Sequence, residues 1–182
     1  MKYIFVQMIL RRKEVVIMNN KTNTITILGM LTALYVVFSA FMKFTLFSNI
    51  MVDLGYIVFT VALCMYGICG TVVGVIGCAL ESILFSAYGF SISWVVANLA
   101  IGLIAGWTLH KNVHVIAKCI VVVFAVAVGM LLVKTVIECY LYSIPFAVKI
   151  PKNAVAFAAD AATMIAGLAV YKILDKTAHL MR

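Results

Sequence analysis

Six side chains able to grip a solute stand in stretches of sequence that otherwise read as lipid-soluble: Glu81, Trp94, Asn98, Lys134, Glu138 and Asp160. A carboxylate near a bilayer centre costs about 2.5–3.5 kcal/mol on insertion scales, so an acid there faces a bundle interior, a partner or a ligand. Lys134 and Glu138 are four residues apart, share a helical face and can pair. If they neutralise each other, Glu81 and Asp160 remain with no lysine at helical spacing. Spare carboxylates favour a ligand with a cationic amine or several N–H donors over one dominated by its own carboxylates. The indole of Trp94 offers a stacking face for a ring, or else an anchor at the membrane interface. Asn98 needs partners for both ends of its amide, from a ligand or from a neighbouring helix.

The chemistry that is missing narrows the classes. There is no Walker A loop, no HExxH and no GxSxG, so the chain shows no means of hydrolysing ATP and no nucleophile–base pair. His110, His114 and His179 fall at helix ends, and the five cysteines (Cys64, Cys69, Cys78, Cys119, Cys139) include no CxxC. Neither a metal site nor a disulfide framework is expected, and the cysteines read as buried thiols. The sequence predicts a binding protein with no catalytic residues and no cofactor.

The elements that must position these residues follow from composition. Of the 182 residues 66% are hydrophobic and 11% charged, against about 25% charged in soluble domains, which predicts a polytopic membrane protein. The formal net charge of +8 is scattered at helix ends, where it sets topology; nucleic acid is not an expected partner. The fold class expected is all-α, a six-transmembrane-helix bundle. The spans read as Thr24–Met42, Ile50–Tyr66, Thr71–Ala87, Ser93–His110, Val115–Tyr142 and Asn153–Leu174. The fifth would measure about 42 Å as a straight helix, so it must tilt, kink or project, with Gly129 a kink site. Residues 1–20 read as a poorly ordered N-terminal extension and residues 21–182 as the membrane domain. Met18 is a second reasonable start.

With the N-terminus inside, ten Lys/Arg fall on cytoplasmic segments and three (Lys43, Lys149, Lys152) outside, which sets both termini in the cytoplasm. Under that topology Asp53, Glu81, Trp94, Asn98, Lys134, Glu138 and Asp160 all lie in the outer part of their spans. An ungated channel needs polar lining through the full thickness; this pattern describes a cup, polar at the top and closed below. Three outer segments cover it: Lys43–Met51 and Ser86–Ser91 as lids, and Ser143–Lys152, stiffened by Pro145 and Pro151, as a cap. Small residues recur every four positions: Gly29 and Ala33; Gly70, Gly74 and Cys78; Gly102 and Gly106; Ala154, Ala158, Ala162 and Ala166. Such stripes let helices approach closely in lipid, inside the bundle or, for the first helix, against an external partner.

GMLTALYVVFSA in the first helix, VDLGYIVFTVAL opening the second, the YGICGTVVGVIG hairpin and ANLAIGLIAGW in the fourth together resemble the S components of energy-coupling factor (ECF) vitamin transporters. The resemblance spans roughly Thr24 to Lys176. It implies six helices with both termini inside, an outward-facing vitamin pocket, lid loops, and a separate module of a transmembrane coupling subunit and two ATPases. The family's Ala-x3-Ala motif, which contacts the coupling subunit, falls here on Gly29 and Ala33. The folate and riboflavin members are the nearest in helices 2 to 4. No arginine stands near PKNAVAF, and the acids fit a thiamine-like or queuosine-precursor-like compound slightly better. The alternative is a membrane scaffold protein, which would not need Glu81, Lys134, Glu138 and Asp160 at one depth. A stand-alone transporter would show inverted repeats or polar groups on both sides of the midplane. The expected location is the bacterial plasma membrane.

Overall fold

The computed structural model describes residues 2–41, 43–46, 50–85, 90–111 and 113–180, with side chains described for residues 21–41, 52–85, 90–111 and 113–177. It is helical apart from one β-hairpin: α1 (Lys2–Phe41), β1 (Lys43–Leu46), β2 (Ile50–Asp53), α2 (Gly55–Tyr66), α3 (Thr71–Phe85), α4 (Ile92–Leu109), α5 (Val115–Val126), α6 (Thr135–Tyr142) and α7 (Phe146–Leu180). Among the described residues five stretches are long and apolar enough to cross a membrane: Lys21–Phe41, Gly55–Phe85, Ile92–Leu109, Val115–Tyr142 and Phe146–Thr177.

The stretch Gly55–Phe85 is two arms. Gly67 takes φ +59°, a left-handed conformation that only glycine adopts without strain, and a 3-10 turn over Gly67–Gly70 follows. Beyond it the chain folds back. A Cβ on Gly70 would lie 2.5 Å from the Ala62 carbonyl oxygen, and one on Gly74 would lie 2.5 Å from the Phe59 ring. Residues eight and fifteen apart can meet so closely only if α2 and α3 run antiparallel.

Two boundaries differ from the sequence expectation. The segment Ile50–Asp53, expected to open the second helix, is a strand paired antiparallel with Lys43–Leu46 in the register Lys43↔Asp53 to Leu46↔Ile50. The short alternation in KFTL and IMVD suits a strand as well as it suits a lid loop. The helix waits for Asp53, whose carboxylate accepts from the Gly55 N–H at 2.8 Å and from Ser39 Oγ at 2.7 Å, tying α1, the hairpin and α2 together. The cap expected over Ser143–Lys152 is instead largely the first two turns of α7, with Pro151 inside the helix. Ser143, at φ 52°, ends α6, and Pro145 forbids its continuation. Within the expected lids, Phe47, Asn49, Tyr88 and Gly89 lie outside the described residues, as does Met42.

The fifth span is continuous but irregular. Between α5 and α6, residues Ala127–Lys134 form a π segment that contains Gly129, the expected kink site. A Cβ there would lie 2.4 Å from Ile101 Cγ1 and 3.0 Å from the Ala97 carbonyl oxygen, so α4 packs directly on this backbone. Thr135 Oγ1 donates to the Met130 carbonyl at 3.2 Å, supporting the widened turn.

Most small residues face inward. Gly77 makes room for the Tyr35 ring, Gly102 for Thr71 and Gly167 for Thr60. Gly29 differs: nothing lies within 4 Å of a Cβ built there, and Ala33 is exposed on the same face. Ala158, Ala162 and Ala166 are likewise exposed. Cys64, Cys78 and Cys139 are buried and Cys119 partly so, whereas Cys69 is exposed because it falls in the turn at a helix end.

Candidate functional site

The two ends of the bundle differ in chemistry. At one end lie Leu63, Ala105, Leu109, Val122, Met164 and Leu168, all in the apolar core. That end is tied by Lys118 Nζ donating to the Leu109 carbonyl at 2.7 Å, and by His110 Nδ1 3.3 Å from the Cys64 carbonyl oxygen. Because successive helices alternate in direction, the first turns of α2, α4 and α7 and the last turns of the fifth span share the opposite end. The polar residues collect there.

Glu138 is the hub. Its Oε2 lies 3.1 Å from Lys149 Nζ and accepts from Asn153 Nδ2 at 3.4 Å, while its Oε1 lies 3.9 Å from Lys134 Nζ. Asn153 Nδ2 also donates to Thr135 Oγ1 at 2.9 Å, joining α6 to α7 a second time. The helical spacing of Lys134 and Glu138 does bring them together, but the tighter partner comes from another helix. Lys149 and Asn153 were placed by sequence in the outer segment and at a span boundary. The i, i+4 pattern sees one helix only, so a cross-helix ion pair leaves no mark in it.

Lys134, 4% exposed, directs its ammonium over the Trp94 ring, 3.5 Å from the centroid. That is well inside the range of a cation–π contact and joins α4 to the π segment. Asp160, buried on α7, lies within electrostatic reach of Lys134 and of Tyr56. Tyr56 and Tyr35 pack edge to face at 6.5 Å, and Tyr35 in turn senses Asp53, Asp160 and Glu81. Glu81 is half-buried on α3. Of the six sequence-selected residues, Trp94, Lys134 and Glu138 meet directly, and Asp160 lies within electrostatic reach of Lys134.

Asn98 stands apart in a useful way. It is fully buried, and among the described residues neither its Oδ1 nor its Nδ2 has a hydrogen-bond partner; the Tyr56 hydroxyl and Thr71 Oγ1 share this condition. An orphaned buried polar group costs about 1–3 kcal/mol; Asn98 and Tyr56 carry theirs toward the polar end, whereas Thr71, the first residue of α3, lies at the opposite end. No group of three or more His, Cys, Asp or Glu side chains among the described residues is placed to hold a metal ion.

Comparison with known proteins adds the following. The family described as ECF-type riboflavin transporter, S component, matches residues 19–176. The crystal structure at 2.1 Å of the S-component for biotin from an ECF-type ABC transporter superposes with a TM-score of 0.65, covering 87% of this chain and 93% of that chain at 16% identity. At that identity the likeness is one of fold. Among curated proteins, none matches the chain.

Proposed function

This chain belongs to the ECF-type riboflavin transporter S-component family, and from that premise we propose that it receives a vitamin or related small heterocycle at the polar end of its bundle. It is a membrane-embedded transporter subunit and not an enzyme. The substrate site is lined by Glu81, Trp94, Asn98, Lys134, Glu138 and Asp160. The observation that carries this reading is the segregation itself: buried charged and amide side chains from α4, the π segment, α6 and α7 at one end, and an apolar, packed core at the other. A cup of this kind binds from one side and cannot conduct.

The finer topology belongs to the same proposal. Six helices cross, because α2 and α3 form a hairpin. Both termini are cytoplasmic in a bacterial plasma membrane, residues 1–20 are an extension to a membrane domain of residues 21–182, and the polar end faces outward. Energy comes from a separate ECF module of a transmembrane coupling subunit and ATPases. Gly29 and Ala33 form the docking patch for the coupling subunit: the absence of any internal neighbour at Gly29 supports an external contact over bundle packing.

The test is to purify the full chain in detergent and identify co-purifying small molecules by mass spectrometry. A single vitamin-like heterocycle, lost in Trp94→Ala and Asn98→Leu, is the expected result. No enriched molecule, with none bound on addition of riboflavin, would leave the scaffold reading in its place.

A further inference from the structure

Stacking by Trp94 meets an obstacle: one face of its indole is already covered. Lys134 Nζ sits 3.5 Å from the indole centroid, buried, at a distance that leaves no room for a ring between them. The same ammonium is 3.9 Å from Glu138 Oε1, just beyond hydrogen-bonding range. Glu138 is itself fixed, through its other oxygen, by Lys149 and Asn153. A lysine stem has four rotatable carbons, so a rotamer change that moves Nζ by several ångströms can clear the ring and bring the ammonium against an oxygen that is already in place.

We propose that Lys134 is a displaceable plug on the Trp94 ring, expelled onto Glu138 when a neutral planar ligand stacks there. The proposal rests on the receptor reading above and deepens it. Glu138 then acts as a positioning residue, held by Lys149 and Asn153 to receive the cation, and Lys134 acts as a specificity-determining residue. A neutral ring competes for the indole face at the expense of one cation–π contact, and the displaced ammonium recovers an ion pair. A permanently cationic ring would have to enter beside the ammonium it displaces, so it is disfavoured by like charge. This reverses the ligand charge that the acids suggest when the sequence is considered alone, because two buried or half-buried lysines, Lys134 and Lys149, stand at the same level.

The experiment uses the full chain with Trp107→Phe, which removes the other of its two tryptophans, an exposed one at the opposite end of α4, and leaves Trp94 as reporter. Lys134→Met and Lys134→Arg are compared with Lys134, with riboflavin and thiamine as probes. Without ligand, Lys134→Met raises acrylamide quenching of Trp94. With riboflavin, affinity follows the order Met, Lys, Arg: about 3- to 30-fold tighter than wild type for Met, weaker for Arg, whose planar guanidinium stacks more firmly. Thiamine gains from Lys134→Met by a larger factor than riboflavin does. A loss of riboflavin affinity in Lys134→Met makes Lys134 a direct ligand contact and overturns the proposal, as do equal affinities across the series or unchanged quenching of Trp94. Absence of riboflavin and thiamine binding in every variant, wild type included, overturns the receptor reading and this proposal with it. That outcome is distinct because the ligand-free quenching still reports whether Lys134 covers the ring.

Discussion

At the scale of single residues, the site is governed by how charge is shared across helices. Glu138 stands between Lys149 and Lys134, so removing its carboxylate leaves two lysines facing each other with little water to separate them. Glu138→Ala is expected to destabilise the folded chain by about 3–5 kcal/mol, the cost of breaking a buried pair from one side, measured by denaturant titration in detergent. Lys149→Ala costs less, because its side chain is 17% exposed and water takes over part of its role. Thr135 bonds both the Met130 carbonyl and Asn153, so Thr135→Val should cost about 1–3 kcal/mol in the same measurement. The burial of Asn98, Lys134, Glu138 and Asp160 was legible in the sequence, since an acid or amide in an apolar run has few explanations. Their partners were not: Lys134 on Trp94 and Lys149 on Glu138 are contacts between helices, and helical spacing carries no information about them.

At the scale of elements, glycines decide what can approach what. Gly70→Ala would drive a methyl into the backbone of Ala62, which cannot rotate away, so the α2–α3 hairpin must open. A loss of about 1–3 kcal/mol and a lowered Tm are expected. Gly29→Ala, with open space around it, should leave Tm unchanged. The positions of the helices could be read from runs of apolar residues, and the irregularity of the fifth span from its length together with Gly129. The β-hairpin could not be separated from a loop or a helix start, because four residues per strand are too few for a period to declare itself. The early start of α7 was concealed by Pro145, Pro151 and two lysines, which normally mark a loop; here Pro145 precedes the helix and Pro151 is accommodated within it.

At the scale of the whole molecule, the proposed one-ended cup must hand its ligand to something else, and in the proposed assembly that partner docks on the exposed face of α1. Gly29→Leu with Ala33→Leu is expected to keep ligand binding and stability while abolishing ATP-dependent uptake in vesicles that contain a complete ECF module. Loss of binding instead would place Gly29 and Ala33 in the bundle's own packing. The membrane class and the likeness to S components were legible from composition and glycine-rich helices. The pairing of Lys149 with Glu138 was not, because a contact between helices leaves no mark in helical spacing.

The most direct measurement is a calorimetric titration of riboflavin into the purified full chain, without ATP or any other subunit, compared between wild type, Trp94→Ala and Asn98→Leu. The account predicts saturable one-to-one binding to wild type and a loss of at least about tenfold in each variant. Binding that is indifferent to both substitutions, in protein that remains folded, would contradict it.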